Sequence, residues 1–388
     1  MKVLITSPVF PPDLGGPAVY VPSLARFLLE RGHEVRVVAF CAEKEPKGHP
    51  FAVVAIPRGP LPLRYLKAFF AVLREAGKAD VVYVNEHLAL LHVLAAKLRG
   101  KPVMIRIMVD GAWEISHRYG WCGGDDIKVF QTRRYGWKVR LTRFLQRRWW
   151  KWSDHIISCS EFLRQILVRN YAVPADKVQR VFNAYHGPDP DSLRMTPQEA
   201  RRELGLEPSR RYLLTICRLM VWKRVDVILE ALARLPEDVH LLIAGDGDME
   251  QPWRELAQRL GVAHRAHFLG NVPHRLIPQY IRAADVFVLN SEYEGLSHTL
   301  LEVQALGTPI VASAVCGNPE VVIEGETGLG VQPEDVAGLQ RAIERYLQSP
   351  ELRQRMAEGG LRRRGEFDRT KTFSEVEAAL QRLVNARR

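Results

Sequence analysis

Two carboxylates, Glu294 and Glu302, stand eight positions apart in the stretch N-S-E-Y-E-G-L-S-H-T-L-L-E-V-Q-A-L-G-T-P, Asn290 to Pro309. Paired carboxylates can act as an acid and a base, or they can hold the hydroxyls of a ligand. Two cations, Arg218 and Lys223, are spaced R-x4-K ahead of the apolar run Val225 to Leu235. At the start of a helix their charge adds to the helix dipole, which suits a diphosphate. Two solvated surface cations are the plainer alternative. Gly15-Gly16 closes a Pro-rich loop, where backbone N–H groups can approach a phosphate or a sugar; a tight structural turn explains the same pair. Asn85-Glu86-His87 and Asp110 end apolar runs. His87 reads as a ligand contact or a histidine at the core edge, and Asp110 as a ligand contact or a helix cap.

The elements that position these groups alternate along the whole chain. Val3 to Thr6 reads as a strand, Val19 to Glu30 as a helix and Glu34 to Phe40 as a strand. The Gly15-Gly16 loop between them is not G-x-G-x-x-G, so the nicotinamide dinucleotide fingerprint is absent. Strands follow at Ala52 to Ile56, Asp80 to Val84, Pro102 to Met108 and Asp154 to Cys159, with helices between. The second half repeats the pattern, with strands at Tyr212 to Ile216, His240 to Ala244, Arg265 to Leu269, Asp285 to Leu289 and Pro309 to Ala312. Strand–helix alternation of this kind makes parallel sheets, and their ligands bind outside the carboxyl ends of the strands. Every candidate group above falls at such an end. The Pro-Asp breaker cluster Gly187 to Asp191 divides the chain into domains 1–186 and 192–368. A final helix from about 370 to 388 is expected to pack back on the first domain.

A length of 388 residues supplies two cores. No apolar run is long enough for a spanning helix, and the N-terminal Met1 to Thr6 reads as a strand rather than a signal peptide. Five scattered cysteines, Cys41, Cys122, Cys159, Cys217 and Cys316, show no metal-ligand spacing and read as structural residues of a reduced cytosol. Asp189-Pro-Asp191 and Asp246-Gly-Asp248 are short D-x-D tripeptides in turn settings, so no metal site is expected there.

The formal charge of +11 favours anionic partners or reflects an Arg-rich soluble surface. Its densest stretch is R-R-Y-G-W-K-V-R-L-T-R-F-L-Q-R-R-W-W-K-W, Arg133 to Trp152. As a helix it can lie in an anionic membrane interface. Alternatively it packs Trp137, Leu141, Phe144, Leu145 and Trp149 on the sheet and leaves its arginines in solvent. No nucleic-acid recognition motif is present. The preceding segment, Val109 to Gln131, is rich in glycine and aromatics and reads as a long loop.

Four features in order resemble the retaining glycosyltransferases of family 4: Gly15-Gly16, Arg218-x4-Lys223, Gly245-Asp-Gly247, and Glu294-x7-Glu302 followed by Ala305-x-Gly-x-Pro309. The resemblance covers nearly the whole chain. It implies the α/β GT-B fold, two Rossmann-like domains facing across a cleft. Arg218 and Lys223 would then hold the donor diphosphate, Glu302 the ribose hydroxyls and Glu294 the hydroxyls of the transferred sugar. Backbone from Gly295 through Leu296, Ser297, His298 and Thr299 to Leu300 would meet the sugar and phosphates. Backbone near Val272 would meet the base, Gly245 would line the site, and Gly16 would approach the donor phosphate from the other domain.

The chain departs from the family pattern in two places. Cys217 and Arg224 stand where members often have glycine before the arginine and after the lysine. Asp110 stands closest to a first-domain histidine that many members carry, with His87 and His117 as further candidates.

The implied activity is sugar transfer from a nucleotide diphosphate sugar to an acceptor hydroxyl, with retention and without metal or cofactor. The acceptor is expected to be a glycan, a lipid-linked saccharide or a small molecule, in a cytoplasmic protein peripheral to the inner membrane face. A nucleotide-sugar epimerase of similar fold and a non-catalytic nucleotide-sugar-binding protein are the rival readings.

Overall fold

A computed structural model of the chain describes residues 1–13, 16–44, 46–57, 59–85, 89–187 and 195–387. The chain divides into two compact units, Met1–Phe182 with Arg369–Arg388, and Asn183–Asp368. The division falls after Phe182, ahead of the Gly187 to Asp191 cluster, and the last helix, Arg369–Asn385, belongs to the first unit.

In the first unit, β1 (Lys2–Ser7), β2 (Glu34–Cys41), β3 (Ala52–Pro57), β4 (Val81–Val84), β5 (Val103–Ile107), β6 (His155–Ser158) and β7 (Val178–Arg180) form one sheet. All pairs are parallel, in the order β3-β2-β1-β4-β5-β6-β7. Its central strands are buried along their whole length, as with Val81-Val-Tyr-Val84, which is why they read as continuous apolar runs. Helices Leu61–Ala76, Leu90–Leu98 and Trp137–Trp152 each lead to a strand further along the sheet in one direction. Right-handed crossovers therefore put all three on one face, where they pack side by side. Helix Gly16–Glu30 leads the other way and covers the opposite face. The C-terminal helix joins it there: the Phe373 ring lies 5.5 Å from the rings of Tyr20 and Phe27, and Glu377 accepts from His33 at 2.8 Å.

Two expectations for this unit are corrected. The segment 109–131 is not a long loop but contains helices Gly111–Arg118 and Ile127–Thr132. Each starts at an aspartate whose carboxylate accepts from the first free N–H groups, Asp110 from Ala112 and Trp113, Asp126 from Lys128 and Val129. These caps satisfy the first free donors of each helix and fix where it starts. The basic helix starts at Trp137, not Arg133, and buries Val139, Gln146, Trp149 and Trp150. Of the five residues expected on the sheet, Trp149 is buried and Leu145 half-buried, while Trp137, Leu141 and Phe144 are exposed.

In the second unit, β8 (Arg211–Ile216), β9 (Val239–Ala244), β10 (Ala266–Gly270), β11 (Val286–Leu289), β12 (Ile310–Ser313) and β13 (Leu329–Val331) form a parallel sheet in the order β10-β9-β8-β11-β12-β13. The core is built from the strands' apolar runs and from Ile228, Leu232, Trp253, Ile343 and Tyr346 of the covering helices. The chain runs from β8 to β9 on one side, then returns with β11 on the other. The crevice at that reversal, between the ends of β8 and β11, is where a parallel sheet of this type holds a ligand.

Candidate functional site

The loops leaving β8 and β11 carry Arg218, Lys223 and Glu294, so the reversal of strand order brings residues 71 positions apart into contact. Lys223 Nζ donates to Glu294 Oε1 at 2.5 Å, and Ser291 Oγ donates to the same oxygen at 2.9 Å. Both side chains keep a small exposed fraction, 16% for Lys223 and 13% for Glu294. The loops are also joined through backbone, Glu292 N donating to Trp222 O at 2.8 Å.

Arg224, the departure from glycine, takes a left-handed conformation with φ of 47°. A residue with a Cβ is disfavoured there by about 1–2 kcal/mol. Its guanidinium donates to Glu292 at 2.7 Å and to both oxygens of Asp226, so ion pairs hold the turn that glycine would adopt freely. Arg218 is exposed on the same loop as Lys223. Burial, the largest influence, pushes the thiol of Cys217 beside it up to about 11.

The glycines of Gly245-Asp-Gly247 support this loop. Gly245 has φ of 126°, and a Cβ on it would lie 1.9 Å from the Cys217 carbonyl oxygen. Asp246 O accepts from Leu219 N at 2.7 Å. Packing alone thus accounts for glycine at 245. Gly317 does the same for the other loop: a Cβ would lie 2.0 Å from Gly295 O, and its N–H donates to Glu294 O at 3.0 Å.

Helix His298–Leu306 starts at Ser297, whose Oγ accepts from Leu300 N at 3.3 Å. Gly295, Leu296, Ser297 and Leu300 are buried, while His298, Thr299 and Glu302 are half-buried on its first turns. Asn183 Nδ2 donates to Leu296 O at 2.8 Å and pins the loop before the helix. Glu302 faces His274, with Nε2 3.5 Å from Oε1, and this carboxylate raises the His274 pKa. His274 lies just past Val272, which is half-buried.

The first unit's candidates fare differently. Asp110 is corrected as a substrate contact, because it is 0% exposed and its oxygens are engaged. They accept from Gln146 Nε2 and Gln131 Nε2, both at 2.7 Å, and from the Tyr171 hydroxyl at 2.9 Å, besides the cap bonds. Burial first, then the Asp110 charge, pushes the Tyr171 phenol well up. His117 is half-buried against the Trp113 ring at 4.9 Å. Gly16 opens its helix with nothing among the described residues within 4 Å of where a Cβ would stand. Gly15 and His87 lie outside the described residues, as does the tripeptide at 189–191.

Sequence reasoning missed Ser291, Arg224–Glu292, His274, Asn183 and the buttress at Gly317. The Gly-Asn-Pro turn at 317–319 was the available signal for the last, and the glycine-less R-x4-K motif for the second. His274 and Asn183 have no local pattern, since their partners are distant in sequence.

The description "Glycosyl transferases group 1" matches residues 197–363, and "Glycosyl transferase 4-like domain" matches residues 15–184. An uncharacterized glycosyltransferase of Methanocaldococcus jannaschii is 26% identical over 89% of this chain and 89% of its own length. A D-inositol 3-phosphate glycosyltransferase of Geodermatophilus obscurus is 29% identical over 96% of this chain and 87% of its own. The Anabaena protein HepE, solved in complex with UDP, has the same fold with a TM-score of 0.77, at 19% identity, covering 98% of this chain and 100% of that one. These matches do not favour the epimerase or the silent binder. With its two Rossmann-like units and a matching description on each, the chain belongs to the glycosyltransferases of the family 4 type, with the GT-B fold.

Proposed function

We propose that the chain moves a sugar from a nucleotide diphosphate sugar to an acceptor hydroxyl, with the anomeric configuration retained and no metal. The Lys223–Glu294 contact at the reversal of strand order carries this reading. It sets a cation for the donor diphosphate beside a carboxylate for the sugar hydroxyls. Arg218 adds a second, exposed cation on the same loop. Glu302 takes the ribose hydroxyls, and the backbone from Gly295 to Leu300 serves sugar and phosphates at the start of a helix.

No protein nucleophile is needed. The acceptor oxygen attacks the anomeric carbon on the face the diphosphate leaves, the bond from that carbon to the phosphate oxygen breaks, and the departing phosphate takes the acceptor's proton. The protein's share is electrostatic: Arg218 and Lys223 meet the charge that grows on the leaving diphosphate. HepE has been solved with UDP and with UDP-glucose, which makes a uridine donor the first to test. The acceptor is read as a lipid-linked or cell-surface saccharide met at an anionic membrane face. No helix among the described residues is long and apolar enough to cross a membrane.

A thermal-shift screen of UDP, GDP, ADP and dTDP sugars tests the donor, because a ligand that binds only the folded state raises Tm. One nucleotide sugar is expected to raise it, and Arg218→Ala to abolish the shift. If none does, the donor reading fails. If an epimer forms from donor alone, the transferase reading fails.

A further inference from the structure

Helices 61–76, 90–98 and 137–152 form one layer over the first unit's sheet. They carry three, one and six basic residues respectively, and a single acidic one, Glu75. Glu75 is 1% exposed and already paired with Arg36, Arg74 and Lys78. The outer surface of these three helices is therefore cationic, with no exposed carboxylate of its own.

Two helices of this layer also leave large apolar side chains exposed in stripes. Leu63, Leu66 and Phe70 follow one another at three and four positions on the first helix, with Phe70 58% exposed. Trp137, Leu141 and Phe144 do so on the last, with Trp137 70% exposed. Residues at this spacing share one helix face. An amphipathic helix ordinarily turns such a stripe inward. Helix 137–152 instead buries the opposite face, Val139, Gln146 and Trp150, and leaves the aromatic stripe outside.

A groove of about 740 Å³ runs beside that stripe, lined by Trp137, Arg140, Phe144 and Arg147, with Tyr171 among its other walls. Guanidinium groups and rings share its walls: the Arg143 guanidinium, also lining it, lies 5.6 Å from the Tyr171 ring centroid. A guanidinium matches a phosphate, and a tryptophan beside it suits the headgroup level of a bilayer, with leucines reaching the acyl boundary.

We propose that this three-helix layer is a docking surface for an anionic bilayer, with a lipid phosphate seated in the groove beside helix 137–152. The proposal deepens the membrane-face part of the functional reading and does not depend on the identity of the donor. Charge complementarity selects the occupant. A second copy presenting the same face would set cation against cation. A nucleic acid would match the cations but leave the exposed leucines without an apolar partner.

The test is co-sedimentation of the full chain with phosphatidylcholine vesicles, with and without about 30% phosphatidylglycerol, at low salt. Binding is expected only to the anionic vesicles and is expected to fall steeply at about 0.5 M salt. Arg140→Gln with Arg147→Gln is expected to weaken partitioning about five-fold per charge. Trp137→Ser with Phe144→Ser, also at exposed positions, is expected to weaken it at least as much. The donor-induced thermal shift should be unchanged in both variants, which separates loss of docking from loss of fold. Several results overturn the proposal: no binding to anionic vesicles, equal binding to neutral ones, or variants that bind like the parent chain. A tighter salt-sensitive complex with DNA, or a change of oligomeric state in the variants, also overturns it. A donor shift without vesicle binding refutes this surface and spares the donor site; the converse refutes the donor site alone.

Discussion

Lys223 and Glu294 meet at 2.5 Å although 71 positions separate them, because their loops leave the two strands, β8 and β11, at which the sheet reverses direction. In this contact each neutralises the other. A bound donor would replace part of that pairing with its diphosphate and sugar hydroxyls. Lys223→Ala is expected to lower kcat/KM by a hundredfold or more, about 3 kcal/mol of transition-state stabilisation. Glu294→Gln removes the opposite unit of charge and leaves Lys223 without its anchor, so the double variant should be less impaired than the two single effects combined. Steady-state kinetics on the four proteins of the cycle checks this. Simple additivity would mean that the pair does not act as a unit.

Gly245→Ala should destabilise the protein by about 2 to 4 kcal/mol, from strain at positive φ and from the approach to Cys217 O. Gly16→Ala meets no described residue and should stay within about 0.5 kcal/mol. Urea denaturation of both variants measures the contrast. A change of KM in Gly16→Ala at unchanged stability would report contact with a ligand rather than with protein.

Asp110→Ala should cost about 3 kcal/mol of stability, since it removes a helix cap and strands the buried amides and phenol that donate to it. Asp110→Asn keeps the cap and should cost less. Turnover per folded molecule should be unchanged in Asp110→Asn. A thousandfold loss of kcat at unchanged Tm would restore a catalytic role.

The His274–Glu302 contact makes stability depend on pH. Glu302 raises the His274 pKa in the folded state above the ordinary 6.5. Such a group contributes stability that is complete below the unfolded value and fades as pH rises through the folded value. His274→Ala should therefore destabilise the protein at about pH 6 and be neutral at about pH 9. At this exposed position the effect should stay under about 1 kcal/mol. Denaturant midpoints at the two pH values decide it; an equal loss at both would mean that packing, not charge, links the two residues.

Much of this was legible in the residues themselves. Apolar runs such as Val81 to Val84 announce strands buried on both faces, and strand–helix alternation announces parallel sheets. The spacing of Glu294 and Glu302 puts two carboxylates in one short segment after an apolar strand. These are local properties, set by steric preference and by burial of contiguous apolar side chains.

Only the tertiary structure decided what depends on partners far away in the chain. Asp110 read equally as a ligand contact or a cap until Gln131, Gln146 and Tyr171 were seen around it. Arg224 holds a turn suited to glycine because Glu292, which follows another strand, reaches it. The 133–152 stretch makes the same point about direction. Periodicity determines which residues share a helix face, and Trp137, Leu141 and Phe144 do. Whether that face turns inward is settled by the rest of the fold, which buries Trp149 and Trp150 and leaves the stripe in solvent.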